Sequence, residues 1–114
     1  MEMRYPVHQD QVKRMTTDEL RANFHIGDLF EPNQLNLVYS HIDRVIVGGA
    51  VPVDETVVLA ADNHDLAADY FLERREVGII NIGGEGKITV DGADENVSER
   101  QSWLCQSRQG QSQL

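Results

Sequence analysis

Tyr70 to Gly92 reads YFLERREVGIINIGGEGKITVDG. In order it holds a short aromatic and apolar run, the charged residues Glu73-Arg74-Arg75-Glu76, an apolar stretch, the glycine-rich Gly83-Gly84-Glu85-Gly86, and an alternating segment that ends in Asp91-Gly92. Val77 to Ile82 and Lys87 to Val90 have strand length and β-branched content, which predicts two strands joined as a hairpin by the glycines. Tyr70 to Leu72 is read as a further short strand before them. Glycine suits such a turn because it adopts positive φ without steric cost. A phosphate loop is excluded: Lys87 to Val90 alternates as a strand, whereas phosphate cradles of that kind use a helix N-terminus.

Working back towards the N-terminus, Gln34 to Ser40 alternates with period two, with Leu35, Leu37 and Tyr39 on one side. Arg44 to Val47 predicts a strand broken by Gly48-Gly49, and Thr56 to Leu59 another after Pro52. Asp62-Asn63-His64-Asp65 is turn chemistry. Before these strands lies one helix start: Thr16 and Glu19 fit a capping box, Met15 and Leu20 the hydrophobic staple around it, and Gly27 a stop. Short strands at such spacing predict a mainly β chain, a sandwich or small barrel led by one short N-terminal helix.

Beyond Gly92 the pattern ends. In 98–114 nine of seventeen residues are Gln or Ser, and the few apolar ones follow neither the helical nor the strand period. Such a segment buries too little surface to offset its chain entropy, so 93–114 is expected to be a polar, disordered tail on a folded 1–92.

Composition narrows the function classes. A chain of 114 residues with net charge −9 allows one domain and offers no basic stripe for nucleic acid or an anionic membrane. The N-terminus lacks the apolar core of a secretory signal, and no window has the length of a membrane span, so a cytoplasmic location is expected. Cys105 is the single cysteine, which excludes an internal disulfide. It sits in a polar context with no histidine near it in sequence, a poor setting for a nucleophile.

Two stretches go beyond general β patterning: Val38-Tyr39-Ser40-His41-Ile42-Asp43-Arg44-Val45-Ile46-Val47-Gly48-Gly49, and the segment from Tyr70 to Gly92. Together, and in this order, they resemble the N-terminal half of 5-keto-4-deoxyuronate isomerases, the 4-deoxy-L-threo-5-hexosulose-uronate ketol-isomerases. The resemblance runs from about Met1 to Gly92. It implies an incomplete cupin-like jelly-roll barrel and an aldose-ketose isomerase of pectin breakdown, converting 5-dehydro-4-deoxy-D-glucuronate to 3-deoxy-D-glycero-2,5-hexodiulosonate. It further implies a homo-oligomer, a hexamer in the family, and one zinc ion per chain. The family's zinc ligands, three His and one Glu, belong to a second half that this sequence does not reach, so no metal is expected in this chain and its activity alone is expected to be absent. A metal-free sugar-acid-binding or structural module, or an inactive fragment of a disrupted gene, are the other readings. A one-base shift in the back-translation of Trp103 to Gln111 reads Gly-Tyr-Val-Ser-Arg-Gly-Lys-Gly, so a shifted reading frame is one origin of the tail.

Against the cupin metal pattern, Glu76, Gly84, Gly86 and Val90-Asp91-Gly92 fit in outline, with a one-residue offset before the turn. The two histidine positions of that pattern hold Asp69 and Phe71, and Phe71 has no donor atom to offer zinc. The histidines of this chain, His8, His25, His41 and His64, are scattered over separate segments. Candidate substrate-binding or interface residues are His41, Arg44, Arg74 and Arg75. His41 lies beside Asp43 and Arg44 at a strand end. Arg74 and Arg75 allow a bidentate clamp on a uronate carboxylate. The plainer reading is a charge pair at a strand junction, with Asp43 or with a neighbouring subunit. No catalytic residue is assigned.

Overall fold

The computed structural model describes residues 1–60, 63–69, 71–106 and 112–113. It is mainly β, with open sheets. In chain order the elements are β1 (Glu2–Arg4), α1 (Gln9–Val12), α2 (Thr17–Phe24), β2 (Leu35–Ser40), β3 (Val45–Ala50), β4 (Val58–Leu59), α3 (Asn63–Leu66), β5 (Glu76–Ile80), β6 (Gly86–Val90), β7 (Ala93–Val97), β8 (Ser102–Gln106) and β9 (Ser112–Gln113). The chain divides into two compact units, Met1–Val51 and Pro52–Leu114.

In the first unit α2 begins where the capping box predicts. Thr16 Oγ1 accepts from Glu19 N–H and Glu19 Oε2 accepts from Thr16 N–H, both at 3.3 Å. These two bonds satisfy donors that the first helical turn leaves orphaned. The sheet has the order β1-β2-β3, with β1 parallel and β3 antiparallel to β2. Gly48 and Gly49 do not break β3; they pair with Leu37 and Asn36 inside it. Their need is space rather than turning. A Cβ on Gly49 would stand 2.6 Å from Leu29 O, because the Asp28-Leu29 segment crosses the strand there. Asn36 Nδ2 donates to Leu29 O at 3.3 Å and holds that segment in place.

The second unit is where reading and structure part. β5 and β6 do not form a hairpin. β5 pairs with β8, while β6 pairs with β7 and β9, and β9 also pairs with β4. The sheets are therefore β4-β9-β6-β7 and β5-β8. Gly83-Gly84-Glu85 lies on a connection between two sheets and Gly86 opens β6, and none of the three glycines has positive φ. The hairpin turn is Asp91-Gly92, with φ 51° and 80° between the paired Val90 and Ala93. Positive φ at both central residues is the type I′ geometry whose twist matches the flanking strands.

Gly92 lies in the turn between the paired β6 and β7, and by compactness the chain divides into Met1–Val51 and Pro52–Leu114. The tail contributes β7 and β8, each paired along five residues. Its polar composition is compatible with strands because Val97 and Trp103 supply the inward contacts: Val97 is buried with Leu72, Ile88 and Val90, and Trp103 packs against that cluster with Phe71, Val77 and Ile79. The expected Tyr70 to Leu72 strand is replaced by a turn at Phe71 and Leu72. Leu72, 1% exposed, plugs the core. Asp62, Tyr70, Ser107–Gln111 and Leu114, which carry parts of the turn, strand, tail and reading-frame expectations, lie outside the described residues.

Candidate functional site

The sequence candidates fall in both units, His41 and Arg44 in the first, Arg74 and Arg75 in the second. In the first unit the parallel register of β1 on β2 ends at Arg4 opposite Ser40. It carries on by one bond, since His41 N–H donates to Arg4 O at 2.9 Å. That continuation brings Tyr5 beside His41, with ring centroids 4.6 Å apart and planes within 10°. Tyr39, two residues before His41 and so on the same side of the strand, meets it from below at 4.5 Å and 49°. Tyr39 is buried and Tyr5 is 65% exposed, so the trio is an aromatic ledge with one buried foot. Arg44 closes the four-residue β2–β3 turn with φ 55°. Tyr5 escaped the sequence reading because only the β1–β2 register places it here.

The other histidines have structural surroundings. His8 caps α1, its Nδ1 accepting from Asp10 N–H at 3.1 Å. His25 ends α2, its N–H donating to Arg21 O at 3.0 Å. His64 lies within α3.

In the second unit the charged run is a loop leading from the buried Leu72 into β5. Glu73 Oε2 accepts from Asp69 N–H at 2.8 Å and closes that loop. Arg74 is exposed, Arg75 half-buried, and Glu76 opens β5 opposite Gln106. Phe71, standing at one histidine position of the metal pattern, packs against the apolar core, while Asp69 at the other is exposed. Among the described residues no three His, Cys, Asp or Glu side chains gather as a metal-binding group. The described residues of this chain do not fit a zinc centre, which needs about four donors, or three and water.

Two further polar arrangements are structural. On β6 and β7, Thr89 Oγ1 donates to Asp94 Oδ1 at 2.7 Å and Lys87 Nζ lies 3.4 Å from Asp94 Oδ2. The Thr89 hydroxyl first, and the Lys87 charge after it, hold the Asp94 carboxyl below its ordinary value. Beside α2 a shallow recess of about 370 Å³ is lined by Val7, Gln11, Arg14, Met15, Glu19 and Asn23. Two of its polar arms are already engaged, Glu19 in the capping box and Asn23 with Glu19 O at 2.8 Å.

No helix among the described residues is long and apolar enough to cross a membrane. A scan against protein-family models gives no match. Comparison with curated proteins sets this mainly β chain beside isomerases of uronic acids. It is similar to the 4-deoxy-L-threo-5-hexosulose-uronate ketol-isomerase of Bacillus pumilus, 56% identical over 92 residues that make up 81% of this chain and 33% of the relative. The same-named protein of Bacillus licheniformis is 54% identical over 104 residues, 91% of this chain and 37% of the relative. That of Pectobacterium carotovorum is 44% identical over 103 residues, 90% and 37%. The chain thus spans about a third of the length of the curated relatives it matches. A match over 104 residues is longer than 1–92, so the similarity, like the strand structure, runs past Gly92.

Proposed function

We propose that this chain is the structural β portion of a 4-deoxy-L-threo-5-hexosulose-uronate ketol-isomerase and does not itself hold the reacting centre. The carrying observation is the identity of 50% or more to proteins of that name over most of this chain, but over only about a third of theirs. Ketol isomerisation moves a proton between adjacent carbons, which calls for a base and an oxygen-stabilising group converging on the substrate. The described histidines instead cap helices, stack on tyrosines or lie in separate elements. The zinc that the family resemblance implies would be held by the remaining part of that polypeptide.

The fold proposed for 52–114 is an incomplete cupin-like jelly roll. Three antiparallel pairs support it, nested in sequence: β6 with β7, outside them β5 with β8, and outside those β4 with β9. Successive members alternate between two sheets, the pattern that folding one long hairpin into a double-sheet jelly roll produces. Phe71 in the apolar core supports a barrel that binds no metal of its own. His41 with Arg44, and Arg74 with Arg75, are then contacts to the sugar acid or to neighbouring polypeptide rather than catalysts.

A chimera tests the assignment: this chain replaces the matched span in the Bacillus licheniformis relative, and isomerase activity is measured for it and for the 114-residue chain alone. The expected result is an active chimera and an inactive lone chain. Turnover by the lone chain would place the reacting centre within it, and an inactive, folded chimera would remove the family assignment.

A further inference from the structure

We infer that His8 is a proton-operated cap of α1: neutral, it starts the helix, and protonated, it releases the helix together with the wall that α1 lends to the recess beside α2. The N-cap position prefers Ser, Thr, Asp or Asn, whose side-chain oxygen accepts from the second or third helical N–H. His8 does this with a ring nitrogen. Its backbone is extended, with φ −63° and ψ 139°, and its Nδ1 accepts from Asp10 N–H at 3.1 Å. Its carbonyl accepts from Gln11 N–H at 2.9 Å and from Val12 N–H at 3.3 Å, closing the turn. Nδ1 is bonded to Cγ as Oδ1 is in asparagine, so it reaches the same donor. Unlike that oxygen it takes up a proton, and histidine is the side chain whose charge changes near neutral pH.

Protonation turns the acceptor into a donor aimed at the Asp10 N–H, and the two repel. The same residue offers the imidazolium another partner, because Asp10 Oδ2 lies 3.6 Å from Nδ1. Turning the ring from the amide to the carboxylate exchanges the cap for an exposed ion pair, which adds little stability in water. Lys13 Nζ, 3.6 Å from Asp10 Oδ1, already draws on that carboxylate. The recess adds Arg14 and Glu19 nearby, and among the described residues no carboxylate other than Asp10 pairs with the ring. Gln9–Val12 is a single turn with no buried residue, and a turn of that length is unfavourable without its end bonds. Gln11 and Arg14 line the recess opposite Glu19 and Asn23 of α2. Loss of the cap therefore loosens one side of the recess, while α2 keeps the Thr16 hydroxyl at its own start.

The test is a titration of the isotope-labelled chain by nuclear magnetic resonance from about pH 8 to about pH 5.5, the range in which histidines change charge. The His8 ring signals, the Asp10 amide and the Cα shifts of 9–12 are followed, with α2 as the reference. The Asp10 amide is expected to move with the same midpoint as the His8 ring, and the helical Cα shifts of 9–12 to fall about twofold or more while those of α2 hold. His8→Asn, which keeps the acceptor and takes no proton, is expected to keep the helical shifts across the range. His8→Ala is expected to show the lowered shifts throughout. Unchanged α1 shifts in the parent chain as the His8 ring titrates overturn the inference, because the imidazolium then holds the turn as well as the imidazole does. A fall of the same size in His8→Asn overturns it too, since another group then carries the response to pH. Both outcomes are read without isomerase activity and leave the proposed function untouched.

Discussion

Gly92 and Gly84 stand only eight positions apart, yet the backbone asks different things of them. Gly92 has φ 80° as the second central residue of the β6–β7 turn, where a side chain crowds the following carbonyl. Gly84 has no positive φ, and a Cβ there would meet nothing within 4 Å. Gly92→Ala is expected to lower stability by about 1–2 kcal/mol, whereas Gly84→Ala should be neutral or stabilising by up to about 1 kcal/mol through the unfolded chain. Urea unfolding midpoints of the two variants check this, and equal losses would mean that the turn is not where the structure places it. The pair also shows why composition misled. Three glycines in four residues look like a turn, but the short Asp91-Gly92 dipeptide is the stronger hairpin signal. Its meaning was hidden because the segment after it is polar and its one inward residue, Val97, comes five positions later.

At the scale of elements, legibility followed sequence distance. The capping box of α2 and the alternation of β2 are complete within a few neighbouring residues, and both lie where the sequence puts them. The pairing of β5 with β8 joins residues more than 20 positions apart and leaves no local trace beyond two runs of strand length. Asn81 is the residue that makes this non-local arrangement work. Its Nδ2 donates to Gly84 O at 2.7 Å and Val97 O at 3.0 Å, and its Oδ1 accepts from Gly83 N–H at 3.0 Å. Its backbone N–H donates to Gln101 O, and its carbonyl accepts from Arg100 N–H. One side chain thus ties the β5–β6 connection to the end of β7, where the glycine run alone specifies nothing. Asn81→Ala leaves those groups without their partner and is expected to cost about 1–3 kcal/mol. Asn81→Asp keeps the acceptor but loses the Nδ2 donor, so it should recover only part of the loss. Thermal melts of the three proteins give the order, and a variant Ala protein as stable as the parent would mean that the connection is held in another way.

For the whole molecule, the charged run that interrupts the opening stretch resolves into a hand-over between core and sheet: Leu72 plugs the interior, Glu73 closes the loop on Asp69, and Glu76 starts β5. Of the arginines between them, Arg74 is exposed and Arg75 half-buried. The site expectations were legible only as residue types, because a binding site depends on which segments meet, and Tyr5 reached His41 through sheet register alone. Two features divide the chain at different places: composition changes at Gly92, compactness at Val51. Pro52 to Thr56 is exposed at every residue and carries no strand or helix, whereas Gly92 sits inside a paired hairpin. Exposed segments outside strands and helices are the preferred sites of nicking. Brief digestion with a protease of broad specificity is therefore expected to cut first within 52–56, yielding one fragment that ends near Val51 and another that retains β5 to β8. Mass spectrometry of the earliest products reads this directly. A first cut near Gly92, releasing a short C-terminal peptide while 1–92 persists, would favour the folded portion and loose tail that composition suggests and count against the nested pairing of β5 with β8.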